Sequence, residues 1–271
     1  MDINFSKTLL ISGNDFKLTP YITLHHPSIK EILDINSSTA PDDTYMLYMQ
    51  ILLADPYSNM VMLDDIGKNY LEVSPYEVFI IQWDNCIKDY YEHKSDYDKY
   101  NVNPLNSIMN ALSFFIKEKH IFKKGTYDNG EICFYDINNA SCQINEKIFE
   151  YLYQWVRSIN KIDYSGRIHP ADENARRVLI EDMRDEIKKS RRRNKKKKDH
   201  SNYLGNILSA ACFGGNGSIS PFHINECKIY WINESLSVIN KKNNSDHLLD
   251  GIYHGTIKID DINKNDINWI G

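Results

Sequence analysis

Asp172-Glu-Asn-Ala-Arg-Arg-Val-Leu-Ile-Glu-Asp-Met-Arg-Asp-Glu-Ile-Lys-Lys-Ser-Arg-Arg-Arg-Asn-Lys-Lys-Lys-Lys198 is the stretch around which the whole chain is read. Its first half places Ala175, Val178, Leu179, Met183 and Ile187 at three- and four-residue steps, the spacing that lines one face of an α-helix. Its second half has no apolar residue: between Lys188 and Lys198 stand nine cations and no anion. The 271-residue chain carries 32 Lys and Arg against 37 Asp and Glu, a net charge of −5. Removing the nine cations of the run leaves 23 against 37, a net charge of −14. An acidic body therefore bears one short, intensely basic segment.

Outward from that helix the elements follow from pattern and punctuation. Thr8–Ile11, Phe16–Leu18 and Tyr21–Leu24 read as short strands around the turn residues Ser12-Gly-Asn-Asp15, with Pro20 at a break. Pro27-Ser28 opens a helix, with Pro27 in its first turn and Ile29, Ile32 and Leu33 as its apolar face. Helices are expected over Pro41–Ala54, from the cap Ser74-Pro75-Tyr-Glu77 onward, and from Asn103-Pro104 through Ile116, while Asn59–Ile66 reads as a short helix or a loop closed by Gly67. Glu92–Tyr100, polar and rich in tyrosine, reads as an exposed loop. Glu131–Tyr135 is a strand that pairs with Ile121-Phe122 across Asp128-Asn-Gly130. A helix is expected from Cys142 through Ile159. Asn202–Phe213 is a further helix stopped by Gly214-Gly-Asn-Gly217, and Ile224-Asn225 caps another. Trp269 is expected to dock the tail on the body, because a tryptophan buries a large apolar area.

The fold class is thus mainly α with a small antiparallel β component: an N-terminal β-turn-β element, a helical body and the long charged helix. A boundary in the linker Lys161–Pro170 divides residues 1–165, an α+β region, from residues 166–271, a helical region with the basic helix; packing of the two as one body is equally compatible with the pattern. Met1-Asp-Ile-Asn-Phe5 has neither the basic start nor the apolar run of a secretory leader, and no segment has the roughly 18 apolar residues of a membrane span. A cytoplasmic location is the expectation. Cys86, Cys133, Cys142, Cys212 and Cys227 form no Cys-x-x-Cys pair and read as reduced thiols.

No catalytic frame is present. Asp42-Asp43, Asp64-Asp65 and Asp260-Asp261 are the close carboxylate doublets outside the long helix, and capping or surface placement accounts for them. His25-His26 cannot share a ligand, since neighbours in a strand point to opposite faces. No catalytic residue, cofactor or metal ligand is assigned. The candidate site is the basic run itself: Lys188, Lys189, Arg191, Arg192, Arg193, Lys195, Lys196, Lys197 and Lys198. Three readings apply. It is a solvated helix end favoured by the macrodipole. It docks on an acidic protein surface, including the body of a second copy in a homo-oligomer. Or it neutralises phosphates of a nucleic acid, in which case six contacts would give a log–log salt slope of roughly −5.

Three stretches carry a resemblance: Tyr21-Ile-Thr-Leu-His-His-Pro-Ser-Ile-Lys-Glu-Ile-Leu33; Val178-Leu-Ile-Glu-Asp-Met-Arg-Asp-Glu-Ile187 with Tyr203-Leu-Gly-Asn-Ile-Leu-Ser209; and Gly251-Ile-Tyr-His-Gly-Thr-Ile-Lys-Ile-Asp-Asp-Ile262 with Ile267-Asn-Trp269. In order and pattern they resemble tail assembly proteins, of the tail assembly chaperone type, from bacteriophages of low-GC Gram-positive bacteria. The resemblance implies a non-enzymatic morphogenesis protein that binds tail or tape-measure proteins and oligomerises. The length leaves room for a structural tail or neck component instead. A nucleic-acid-binding protein is the alternative that the charge alone suggests.

Overall fold

The computed structural model describes residues 3–35, 41–100, 105–194, 203–214, 219–258, 262–263 and 267. The chain begins with a helix, α1 (Lys7–Ser12), where the apolar run Thr8–Ile11 reads as a strand. A four-residue apolar run has no period of its own, and the caps decide. The Ser6 hydroxyl accepts the Leu9 N–H at 3.2 Å, and Gly13 closes the helix at φ 70°, in the left-handed region. Strands β1 (Phe16–Lys17) and β2 (Thr23–Leu24), each shorter than its sequence suggests, then pair antiparallel, Phe16 opposite Leu24. Helix α2 (Ile29–Asp34) starts from a capping box between Ser28 and Glu31, so Pro27 precedes the cap and does not occupy the first turn.

The body is built by α3 (Pro41–Leu53), α4 (Met60–Asp65), α5 (Pro75–Glu92), α6 (Lys94–Tyr100) and α7 (Leu105–Phe115). The Ser74–Glu77 capping box opens α5 as its sequence indicates. Helix α6 replaces the expected loop. It has almost no buried face, and its side chains reach back instead: the Tyr97 hydroxyl bonds Asp89, and the Tyr90 and Tyr97 rings stack 6.1 Å apart. A three-stranded antiparallel sheet follows, β3 (Phe122–Thr126), β4 (Ile132–Asp136) and β5 (Asn139–Ile144), in the order β3-β4-β5. Its first hairpin turns at Gly130, φ 88°, between the expected partners. The segment at Cys142 is strand, not helix, with Cys142 and Ile144 buried on one side of half-buried Gln143. Helix α8 (Glu146–Ile159) begins only after Asn145, whose side chain accepts the Ile148 N–H at 3.0 Å. Its buried positions Phe149, Leu152, Trp155, Val156 and Ile159 recur at helical spacing. Phe79 packs against Phe134 and Phe149, with ring centroids 5.2 Å and 4.7 Å away, joining α5, the sheet and α8.

The C-terminal part contains α9 (Glu173–Asn194), α10 (Tyr203–Phe213), a 3-10 turn at Ile224–Glu226 and α11 (Ile229–Tyr253). Helix α11 starts five residues beyond Ile224 and runs through Gly251. The Ile29 N–H donates to the Cys227 carbonyl at 2.8 Å, and the Ile229 N–H donates to the Pro27 carbonyl at 3.1 Å. Trp231 donates to the Ile11 carbonyl, and Lys7 pairs with Glu234. One buried cluster reaches from Phe5 to Ile232. Ser245, almost wholly buried on α11, donates to the Ile267 carbonyl at 2.6 Å, so part of the tail contacts this helix. Trp269, Asp260-Asp261, Asn103-Pro104 and Gly215–Gly217 lie outside the described residues. The fold is α+β and mainly helical.

Candidate functional site

Helix α9 is capped by Asp172, whose carboxylate accepts the Ala175 N–H at 2.8 Å. Its inward face differs from the expected stripe. Val178 is 55% exposed, whereas Ile180 is 3% exposed and belongs to the core, with Met183 and Ile187 half-buried. Ile180, Met183 and Ile187 follow steps of three and four; Val178 falls on the far side. The fastening is electrostatic as well as apolar. The two terminal nitrogens of Arg184 reach Asp64 at 2.8 Å and Asp65 at 2.7 Å on α4. That doublet, a possible carboxylate pair by sequence, is thus an anchor for the long helix. Arg184 is held further into its charged form by these two carboxylates.

Beyond this anchor the basic end emerges. Lys188 lies 3.2 Å from Asp185 and Lys189 lies 3.6 Å from Glu186, both exposed pairs within one helix turn. Exposed pairs of this kind contribute little, so both lysines remain free to exchange partners. Arg192 is exposed one turn on. The backbone of α9 also carries Arg191 and Arg193. At 100° per residue the five cationic positions from 188 to 193 cover about 200° of the helix circumference. This charge sits at the negative end of the helix dipole, which favours it. Lys195, Lys196, Lys197 and Lys198 lie outside the described residues.

The two histidines, which follow β2, face different surroundings. His25 points into a polar network, its Nδ1 2.9 Å from Asp15 and its Nε2 3.1 Å from Glu31. His26 points inward, wholly buried, edge-on to Trp155 at 5.7 Å, and neither ring nitrogen has a hydrogen-bond partner. Burial, with the nearby Lys228 charge, pushes its pKa down to about 4. Asp15 also accepts the His26 N–H and pairs with Lys117, and the balance holds its carboxyl below the usual range despite burial.

The sheet brings together three residues that the sequence does not group. Cys142 Sγ lies 3.6 Å from His120 Nε2, and His120 Nδ1 lies 2.9 Å from Asp136. This is the outline of a thiol–imidazole–carboxylate relay in which both ring nitrogens already have other partners. His120 Nε2 also lies 2.9 Å from the Tyr21 carbonyl. Carboxylate and carbonyl are both acceptors, so the two ring nitrogens of His120 are shared with groups other than the thiol. Cys142 is 1% exposed, and burial, with Asp136 nearby, pushes its thiol up to about 11. The five cysteines are free thiols, Cys133 and Cys142 buried and the others half-buried. Among the described residues no group of His, Cys, Asp or Glu is placed to hold a metal, and no helix is long and apolar enough to cross a membrane.

Residues 194–271, from the middle of the basic run through α10 and α11, match the family model of the YomV second domain. YomV is a protein of a Bacillus phage region, so this part of the chain is similar to a phage-associated domain. No curated protein and no solved structure matches the chain.

Proposed function

We propose that this chain is a non-enzymatic phage protein that binds other proteins during virion tail assembly, with the basic end of α9 docking on an acidic surface of a tail or tape-measure subunit. The observation that carries this reading is the division within α9: Arg184 fastens the helix to the Asp64-Asp65 doublet, while Lys188, Lys189 and Arg192 face solvent beyond it. A rigid element thus presents cations at its far end. The YomV-like C-terminal region and the resemblance to tail assembly proteins support the phage setting. The run contains no aromatic residue on which bases could stack, which favours protein over single-stranded nucleic acid as partner.

Co-expression with the tail proteins of the same phage, followed by affinity capture, tests the reading. Association that is lost when Arg191–Arg193 and Lys195–Lys198 become Gln supports it. No association with any virion protein overturns it. DNA or RNA binding with a steep salt dependence, lost in the same variant, would favour the nucleic-acid alternative.

A further inference from the structure

A groove of about 600 Å³ runs along the first half of α11, between that helix, Ile11 of α1 and the segment 219–223. Its floor is mostly apolar: Tyr230, Trp231, Val238 and Ile239 line it from α11, and Ile11, 49% exposed, stands at its rim. The carboxylate in its wall, Glu234, is answered by Lys7 at 2.7 Å and Lys161 at 2.5 Å. An uncharged apolar segment therefore suits this groove better than a charged one. The second half of α11 shows which segment lies nearest. Ser245 is 1% exposed although Asn244, Asp246 and His247 around it are exposed, and the Ile267 carbonyl accepts its hydroxyl at 2.6 Å. Ser245 stands on the same helical face as Val238, Glu234 and Trp231, at successive steps of seven, four and three residues. The chain comes to this point from the end of the helix. Ile257 packs on Gly251, whose carbonyl accepts the Ile257 N–H at 3.1 Å. Ile267 then meets Ser245, six residues or about 9 Å nearer the groove. The tail thus progresses antiparallel to α11, toward Val238.

We propose that the segment Asn268-Trp-Ile-Gly271 of this same chain occupies the groove, with the Trp269 indole against Val238 and Ile239. The reach is sufficient. Val238 precedes Ser245 by seven residues, about 10 Å along the helix. Two extended residues beyond Ile267 span about 7 Å, and the indole covers the remainder. The chemistry also matches, since the segment has no charged side chain and holds the one tryptophan outside the described residues. A tryptophan gains a large apolar contact on leaving water for such a floor. The seated tail holds the second half of α11, where Ser245 is the one buried side chain among the described residues. It also occupies the groove against other apolar segments. The inference goes beyond the docking role of α9 and does not depend on it.

Val238→Cys places a thiol in the groove with little change of size. The full chain is alkylated with N-ethylmaleimide under native conditions, and peptide mapping follows this thiol, with Cys86 of α5 as internal reference. In this background Trp269→Ala with Ile270→Ala is expected to raise the rate at position 238 by about fivefold, as an effective tail concentration of a few times its Kd gives, and to leave Cys86 unchanged. The peptide Asp266-Ile-Asn-Trp-Ile-Gly271, added at about 5 mM to that variant, restores the protection, which shows that the groove itself is intact. Protection that does not vary with protein concentration assigns the tail to its own chain. An equal rate with and without the two tail side chains, a rise shared by Cys86, a peptide that gives no protection, or protection that grows with protein concentration, as the tail of a second copy would give, overturns the proposal.

Discussion

The ammonium of Lys228 donates to the carbonyl oxygen of His26 at 2.7 Å, across 202 residues of sequence. Around this bond the entrance to α11 is tied to the chain before α2 through the Ile29–Cys227 and Ile229–Pro27 backbone bonds. The buried imidazole of His26 therefore lies at the join between the two ends of the core, with His25, Asp15 and Lys228 as the charges that act on it.

That placement sets a pH dependence. His26 titrates near 4 in the folded chain, against a usual 6.5. The unfolded chain thus binds a proton that the folded chain excludes, so stability rises with pH across this window. The contribution is complete above pH 6.5 and is lost as pH falls toward 4, by at most about 3 kcal/mol. His26→Phe keeps an aromatic ring beside Trp155 and cannot take the proton. Urea midpoints measured from pH 7 to 4 are expected to fall more steeply for the parent chain than for this variant. Glu234, held down to about 2 against its burial by Lys161 and Lys7, adds a separate loss below pH 4.5 that His26→Phe leaves in place.

Gly13 answers two demands at once. Its φ of 70° disfavours any L side chain, and an added Cβ would stand 2.8 Å from the Trp231 ring. Gly13→Ala is expected to lower stability by about 1–2 kcal/mol, read as a shifted thermal midpoint. Gly130 has the same left-handed backbone with open space around it, so Gly130→Ala should cost less.

Arg184 anchors α9 through contacts that are only partly shielded from water. Arg184→Ala is therefore expected to change global stability by less than about 1 kcal/mol. Its effect should be local: faster amide hydrogen exchange in the second half of α9, with α8 unaffected. Equal acceleration in both helices would show that Arg184 holds more than the long helix.

The His120–Asp136–Cys142 cluster should behave as a support for the sheet. The Asp136 carboxylate also accepts the backbone N–H groups of Ile121 and Asn138. Asp136→Ala leaves those donors and His120 Nδ1 unpaired and is expected to cost about 3 kcal/mol. Cys142 should resist alkylation in the folded chain and react only on unfolding, in line with its buried, hard-to-ionise thiol. Rapid reaction of Cys142 under native conditions would instead indicate an exposed nucleophile.

Several elements were legible because their signals are local. Ser74-Pro75-Tyr-Glu77 encodes its own capping box, and Asp128-Asn-Gly130 encodes a turn. Short segments misled. Thr8–Ile11 could not reveal whether its apolar run was strand or helix, and Glu92–Tyr100 became helical through contacts with α5. Cys142 reads with the following helix because nothing in its sequence marks Asn145 as the cap.

By itself the sequence determined the mainly helical α+β character, the hairpin at Gly130 and the separation of an acidic body from nine clustered cations. Each depends on residue type and on spacing within one or two turns of chain. Only the tertiary structure decided that Ile180, not Val178, faces the core, and that Arg184 is the residue dividing an anchored half of α9 from a free basic end. The helical period allows more than one inward face on a 22-residue helix of such polarity. The two carboxylates of α4, 119 and 120 residues away, select among them.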